Sequence, residues 1–238
     1  PGDLGKAVAG GVALGIGGFN VTIPHKESIM ACLDEITDEA RAIGAVNTVH
    51  VSEGHTVGHN TDGDGFLLPL KTVETPFSQL DACVLGAGGA ARALAAALLG
   101  AGCRRLTIAN RTFARGERLA AELQPRYPGA EVRPIGMGEA ADAARQSRLI
   151  VNSTSIGMHQ GDGSPLPDGC LGPEHVAYDI VYRPLVTPFL RQARAAGATT
   201  IGGLDMLIGQ GAAAFTIWTG LSFPLEKVRK ALEASLNS

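Results

Sequence analysis

Lys26 ends a seven-residue stretch, Asn20-Val21-Thr22-Ile23-Pro24-His25-Lys26, in which two short polar side chains precede a cation. An ammonium group can give a proton, or present positive charge, to an oxygen that gains electrons in a reaction. Asn20 and Thr22 alternate with Phe19, Val21 and Ile23, the period of a half-buried strand, so both polar groups are expected on one face of a strand over 19–23. Pro24 has no N–H and stops the pairing. A helical pattern over about 26–34 follows, which sets Lys26 where strand gives way to helix. A lone lysine is ordinarily a solvated one; the remaining motifs decide its role.

A second set of residues has the chemistry of an anion site. Gly86-Ala87-Gly88-Gly89-Ala90-Ala91 follows a short apolar strand at 82–85 and opens a helix over 91–99. Glycines at such a turn let a pyrophosphate approach the helix N-terminus, where free N–H groups and the helix dipole favour negative charge. The next strand, 105–109, ends in Asn110-Arg111-Thr112, and Arg115 follows one turn after Arg111. An acid at this place suits a free ribose 2′-hydroxyl. Two guanidinium groups on one helix face suit a phosphate instead, which points to NADP(H) over NAD(H). Asn152-Ser153-Thr154-Ser155 lies at the carboxyl end of a fourth strand, and Tyr178, Ile180 and Tyr182 lie on or just past a fifth. That edge is where ligands bind in such sheets, and Ile180 is placed to cover a nicotinamide.

These groups need elements to hold them. A helix is expected over 3–15, then the strand and helix around Lys26, then a helix over 37–43 capped by Thr37 or Asp38 and closed by Gly44. Residues 45–51 alternate as a strand, turn at Glu53-Gly54 and return as a hairpin, and Thr61-Asp62-Gly63-Asp64-Gly65 leads into a helix over 66–71. Around Pro76 the pattern changes to alternating strands (82–85, 105–109, 131–135, 149–152, 176–181, 199–201) and helices (91–99, 114–123, 138–144, 187–196), a parallel doubly wound sheet. The tail over 205–220 is apolar on nearly every side and is expected to be buried between two domains. The fold class is therefore α/β with two domains: 1–76 for the substrate, 77–203 for the dinucleotide, and helices at 204–238 returning to the first.

With 238 residues, 45% of them hydrophobic and 18% charged, the chain is an ordinary globular one. A net charge of −3 without a basic run argues against nucleic acid as a partner. Cys32, Cys83, Cys103 and Cys170 are scattered without metal spacing and read as reduced thiols of a cytoplasmic protein. No run of 18 apolar residues is present, and no membrane or signal segment is expected. His25, His50, His55 and His59 lie in the first domain without ligand spacing on one helix face, so no metal is expected.

Taken together, the motifs resemble the shikimate dehydrogenase family. The resemblance rests on Asn20 to Lys26, Gly44-Ala45-Val46-Asn47-Thr48, Asn60-Thr61-Asp62-Gly63, Gly86 to Ala90, Asn110-Arg111-Thr112 with Arg115, Asn152 to Met158, Tyr178-Asp179-Ile180-Val181-Tyr182, and Gly203 to Gln210. It runs the whole length in the family's order. It implies NADPH-dependent, reversible reduction of 3-dehydroshikimate to shikimate, in the route to aromatic amino acids. It implies Lys26 and Asp62 as the catalytic pair, and Thr22, Asn47, Asp62, Tyr182 and Gln210 as substrate contacts. Cofactor contacts implied are Asp38, Gly86, Ala87, Gly88, Gly89, Ala90, Asn110, Arg111, Thr112, Arg115, Thr154, Ile180, Gly203 and Met206. A monomer or homodimer is expected. The alternatives are a quinate/shikimate dehydrogenase using NAD(H) and a non-catalytic relative that keeps the fold. The family carries about forty further residues before a point like Pro1, with a Ser-x-Ser substrate motif; the expectation is that this segment is omitted from the sequence.

Overall fold

The computed structural model describes residues 2–22, 24–73 and 75–236. The first part of the chain runs α1 (Leu4–Ala13), β1 (Gly18–Asn20), a 3-10 turn (Ser28–Cys32), β2 (Glu35–Ile36), α2 (Asp38–Ile43), β3 (Thr48–Ser52), β4 (His55–His59) and α3 (Asp62–Leu70). Its sheet has the order β1-β3-β4-β2. Each local choice has a visible cause. Thr37 caps α2, its hydroxyl accepting from the Ala40 N–H, and Gly44 ends the helix with φ +74°. The β3–β4 hairpin turns on Glu53 (φ 51°) and Gly54 (φ 81°), both left-handed as a two-residue turn between twisted strands requires.

The next part runs β5 (Asp81–Leu85), α4 (Gly89–Gly100), β6 (Arg105–Asn110), α5 (Phe113–Leu123), β7 (Glu131–Gly136), α6 (Ala140–Gln146), β8 (Leu149–Asn152), β9 (Val176–Asp179), α7 (Pro188–Ala195) and β10 (Thr199–Ile201). All six strands are parallel, in the order β10-β9-β8-β5-β6-β7. The chain winds one way from β5 through β7 and the other way from β8 through β10, so a crevice opens beyond the carboxyl ends of β5 and β8. Alternate residues feed two cores: Val84, Ile108, Val132 and Val151 toward α4 and α5, and Leu85, Ile135, Ile150 and Ala177 toward α6 and α7. Arg92 of α4 is ion-paired with Glu122 of α5.

The last helices are α8 (Gly203–Thr219), which returns to the first sheet, and α9 (Leu225–Leu236), which packs on α8. Helix α8 packs along α3. The crossing is close: a Cβ on Gly65 would lie 2.5 Å from the Gln210 nitrogen, and one on Gly209 would lie 2.8 Å from the Gly65 Cα. Nothing larger than glycine fits between these backbones. The Trp218 indole N–H donates to the Val49 carbonyl at 2.9 Å, fixing the far end of α8 on β3. Phe66 of α3 stacks on Tyr178 of β9, centroids 4.8 Å apart, an arrangement worth about 0.5–1.5 kcal/mol beyond area burial. No helix among the described residues is long and apolar enough to cross a membrane.

Several elements differ from the periodicity. The first strand is Gly18–Asn20 and stops before Thr22, while Ile23 lies outside the described residues. The pattern over 26–34 is a 3-10 segment over Ser28–Cys32 and not an α-helix. Helix α3 begins four residues before 66, at Asp62: Gly63 and Gly65 weaken helix propensity, but packing against α8 and α4 overrides it. β3 starts at Thr48 and β9 ends at Asp179, next to side chains that take backbone N–H groups: Asn47 Oδ1 that of Thr61 and Asp179 Oδ1 that of Val181. The short parallel strand β2 has too few residues to show as a pattern.

Candidate functional site

Lys26 sits in the turn between β1 and the 3-10 segment, and its carbonyl accepts from the Val46 N–H at 2.8 Å. That bond ties the turn to the chain entering β3. Its ammonium donates to Asp62 Oδ2 at 2.6 Å, in a pocket that leaves a quarter of the lysine and a tenth of the aspartate side chain exposed. Asp62 is the first residue of α3, where the unpaired N–H groups of the first turn favour a carboxylate. Its backbone N–H is taken by Asn60 Oδ1 at 3.0 Å, an Asx turn, while the Asn60 amide donates to the Ala45 carbonyl at 2.9 Å. The turn before β3 and the start of α3 are thus pinned together by one buried side chain.

Asn47 joins the group from the residue before β3. Its Nδ2 lies 2.8 Å from Asp62 Oδ1, 3.1 Å from Thr61 Oγ1 and 3.3 Å from Gln210 Oε1. Gln210 comes from α8, so the glycine-lined crossing with α3 is what brings it here. The result is a lysine, a carboxylate and two amides facing one space from three chain segments, the Lys26 turn, the β3–α3 region and α8. Ion pairing and hydrogen bonds hold each group in a fixed orientation, which suits a polar, polyhydroxylated ligand. Thr22 is exposed just past β1, its hydroxyl unpaired among the described residues. Tyr182 lies beyond β9 and is 43% exposed.

The glycine turn stands at the crevice. Gly86 has φ +114°, and a Cβ there would meet Ser153 Oγ at 2.6 Å. Ser153 in turn donates to the Leu85 carbonyl at 2.7 Å, which ties the loop after β8 to the end of β5, and Thr154 Oγ1 donates to Asn152 Oδ1 at 2.7 Å within that loop. Gly88 and Gly89 are exposed, with open space where a side chain would be, and α4 begins without a side-chain cap. Ala87 and Ala90 are half-buried beside them. At the end of β6 the Asn110 amide donates to the Thr112 carbonyl at 2.8 Å, closing the turn that presents Arg111 and Arg115. Both arginines are exposed, and neither has an ion pair among the described residues. Free N–H groups over open space, with two unpaired guanidinium groups nearby, fit the pyrophosphate and 2′-phosphate of NADP(H).

Behind the crevice Asp179 is fully buried and accepts from Asn152, Thr187 and the Val181 N–H. Burial holds its carboxyl above the usual carboxylate range, with the three hydrogen bonds opposing. Burial and the nearby Asp205 push the Tyr178 phenol up. Gly203 starts α8 against the Ile180 carbonyl, 2.3 Å from where its Cβ would lie, and Met206 is nearly buried one turn on. Asp38 is exposed in the first turn of α2, on the part of the chain that carries Lys26. Sequence reasoning assigned no role to Asn60, Thr48 or Thr61; their signal was position, each flanking Asn47 or Asp62 within a recognised motif.

Family profiles match along the chain. One described as the shikimate dehydrogenase substrate binding domain matches residues 1–49, one described as shikimate / quinate 5-dehydrogenase matches 70–158, and one described as the shikimate 5′-dehydrogenase C-terminal domain matches 203–233. The chain is similar to a shikimate dehydrogenase (NADP(+)) of Symbiobacterium thermophilum, 49% identical over 240 residues, covering 99% of this chain and 82% of the relative. Among solved structures, a shikimate dehydrogenase in complex with NADP+ superposes with TM-score 0.91 at 38% identity, over 99% of this chain and 82% of that one. A shikimate 5-dehydrogenase from Thermus thermophilus in complex with NADP(H) and shikimate superposes with TM-score 0.86 at 41% identity, over 98% and 84%.

Proposed function

The chain belongs to the shikimate dehydrogenase family, and from that premise we propose that it reduces 3-dehydroshikimate to shikimate with NADPH, reversibly, as a step toward aromatic amino acids. The observation that carries this reading is the constellation of Lys26, Asp62, Asn47 and Gln210, held by direct hydrogen bonds although Gln210 lies 163 positions from Asn47.

NADPH, when bound, supplies the hydride. Gly86, Ala87, Gly88, Gly89 and Ala90 with the start of α4 would hold its pyrophosphate, and Asn110, Arg111, Thr112 and Arg115 its 2′-phosphate. Thr154, Ile180, Gly203 and Met206 line the reach between, and Asp38 is assigned to the cofactor on resemblance alone. The substrate's carbonyl oxygen gains negative charge as its carbon is reduced. Lys26 faces that oxygen and gives it a proton, leaving a neutral amine to be reprotonated from solvent. Asp62 keeps the ammonium aimed and accepts from a ring hydroxyl. Asn47, Gln210, Thr22 and Tyr182 bond the remaining hydroxyls; such sites reject analogues that lack one, because a buried polar group is then left unpaired. The four cysteines are free thiols, which agrees with a reducing compartment such as the cytoplasm.

An assay following NADP+ reduction at 340 nm with shikimate, run beside quinate and NAD+, tests the reading. Turnover with shikimate and NADP+ that exceeds the other three combinations is expected. Preference for quinate with NAD+ would make the chain a quinate dehydrogenase, and no turnover with any pair would make it a binding relative.

A further inference from the structure

We propose that Thr48, a fully buried threonine that touches neither Lys26 nor Asp62, is a positioning residue that sets which way round the Asn47 amide faces the substrate. The proposal rests on the reading above that Lys26, Asp62 and Asn47 act on the substrate.

The argument is one of counting donors and acceptors. Asn47 Oδ1 accepts from the Thr61 backbone N–H at 2.8 Å, and a backbone N–H can only donate. The Thr48 hydroxyl lies 3.0 Å from the same oxygen and fills its second lone pair. The Thr48 proton has two acceptors, Asn47 Oδ1 itself and Thr61 Oγ1, and the Thr61 hydroxyl lies 3.3 Å from the same Asn47 oxygen, so either route ends with a hydroxyl donating to Oδ1. Asn20 Nδ2 donates to the Thr48 hydroxyl at 3.1 Å, and Thr61 Oγ1 lies 3.2 Å from it, itself facing the Asn47 amide nitrogen. A chain directed from Asn20 through Thr48 to Asn47 Oδ1 results, direct or by way of Thr61 Oγ1. With the oxygen doubly occupied, Nδ2 must face Asp62 Oδ1 and Gln210 Oε1. Rotated by half a turn, the amide would set its oxygen against a carboxylate and its N–H groups against the Thr61 N–H. Thr48 and Asn47 are 0% and 2% exposed, so water has little access to replace a missing donor.

The chain has a consequence for catalysis. Asn47 donates to one carboxylate oxygen of Asp62 while Lys26 donates to the other. Loosening the amide frees Asp62, and with it the direction of the ammonium. Thr48→Val keeps the shape and deletes only the hydroxyl; Thr48→Ser keeps the hydroxyl and deletes only a methyl.

Steady-state kinetics on the full chain decide it. Thr48→Val is expected to lower kcat with shikimate about 5- to 20-fold, the effect of one lost buried hydrogen bond or slightly more, with KM for NADP+ unchanged. Thr48→Ser is expected to recover kcat to within about threefold. A folded Thr48→Val enzyme with wild-type kcat, or a Thr48→Ser enzyme as slow as Thr48→Val, overturns the proposal. Should Thr48→Val fail to fold, Asn20→Asp decides: Asn20 is exposed, and a carboxylate there accepts from Thr48 and turns its proton away from Asn47. A loss of kcat larger than that of Asn20→Ala is expected, and equal kcat for the two overturns the proposal. Lys26→Ala, assayed alongside, separates the two levels. If it stays active, the site reading itself fails; if it is inactive while Thr48→Val is normal, only the positioning role fails.

Discussion

Lys26, Asp62, Asn47 and Gln210 each have protein partners before any ligand arrives, whereas Arg111 and Arg115 have none among the described residues, and Gly88 and Gly89 face open space. The contrast fits the roles proposed above for each region. Groups that stabilise developing charge work best when already oriented, because no reorganisation is then needed as the reaction proceeds. Groups that capture an anionic ligand work best with their donors unspent, so that the phosphate supplies the missing acceptor. One region is organised by its own network, and in the proposed function the other is completed by its ligand.

The largest expected effect strikes at the organised region. Lys26→Ala should lower kcat by roughly 10²–10⁴-fold, the usual range for an acid–base group, with KM for NADP+ changed much less. Activity within threefold of wild type, measured at saturating shikimate, would remove Lys26 from the chemistry. The open region should respond differently. Arg111→Ala should raise KM for NADP+ about 10- to 100-fold, the worth of a charge-assisted hydrogen bond, and leave KM for NAD+ within about twofold. Equal losses with both cofactors would detach Arg111 from the 2′-phosphate. Wild-type KM for NADP+ should also rise with ionic strength, since the arginines are exposed and screened by salt, while kcat stays level.

A substitution in the backbone crossing beneath the organised region tests how the network is held. Gly65→Ala places a Cβ 2.5 Å from the Gln210 nitrogen and 2.7 Å from the Met206 carbonyl. Backbone atoms cannot swing aside, so about 1–3 kcal/mol of stability should be lost in urea melts, together with a rise in KM for shikimate as Gln210 moves. A melt equal to wild type would show that α3 and α8 part more easily than their packing implies. The smallest effect concerns Asp179, a buried carboxyl with neutral donors but no cation, unlike Asp62. Its raised titration means the folded state keeps the proton to higher pH than the unfolded chain. That contribution to stability is complete below the ordinary carboxylate value and is lost as pH rises through the folded one. Wild-type stability relative to Asp179→Asn should therefore fall as pH is raised from about 4, near the reference carboxylate pKa, toward neutrality. A relative gain with rising pH would reverse the assignment.

The parallel sheet was legible because its strands are apolar runs and its helices have strong periodicity; β5 to β10 fall within a few residues of where the pattern puts them. The first unit was less so. Its strands are short, Pro24 and the glycines of α3 contradict simple propensity, and β2 has only two residues. Lys26, Asn47 and Asp62 were each legible as candidate site residues, whereas the supporting roles of Asn60 and Thr48, which stand in the same motifs, were not, because they act through hydrogen bonds that no spacing rule describes.

Residue types alone settled that this chain has a cation after a polar strand, a glycine turn opening a helix, and arginines where an acid would sit for NAD. These are local properties, set by bonding capacity, charge and backbone freedom over a few positions. Only the tertiary structure decided that Gln210 reaches Asn47, that Asp62 opens a helix instead of preceding one, and that a buried threonine hydroxyl meets the Asn47 amide oxygen. Those outcomes depend on how closely α3 and α8 approach and on which donors remain unpaired after packing, and neither quantity exists until the chain has closed on itself.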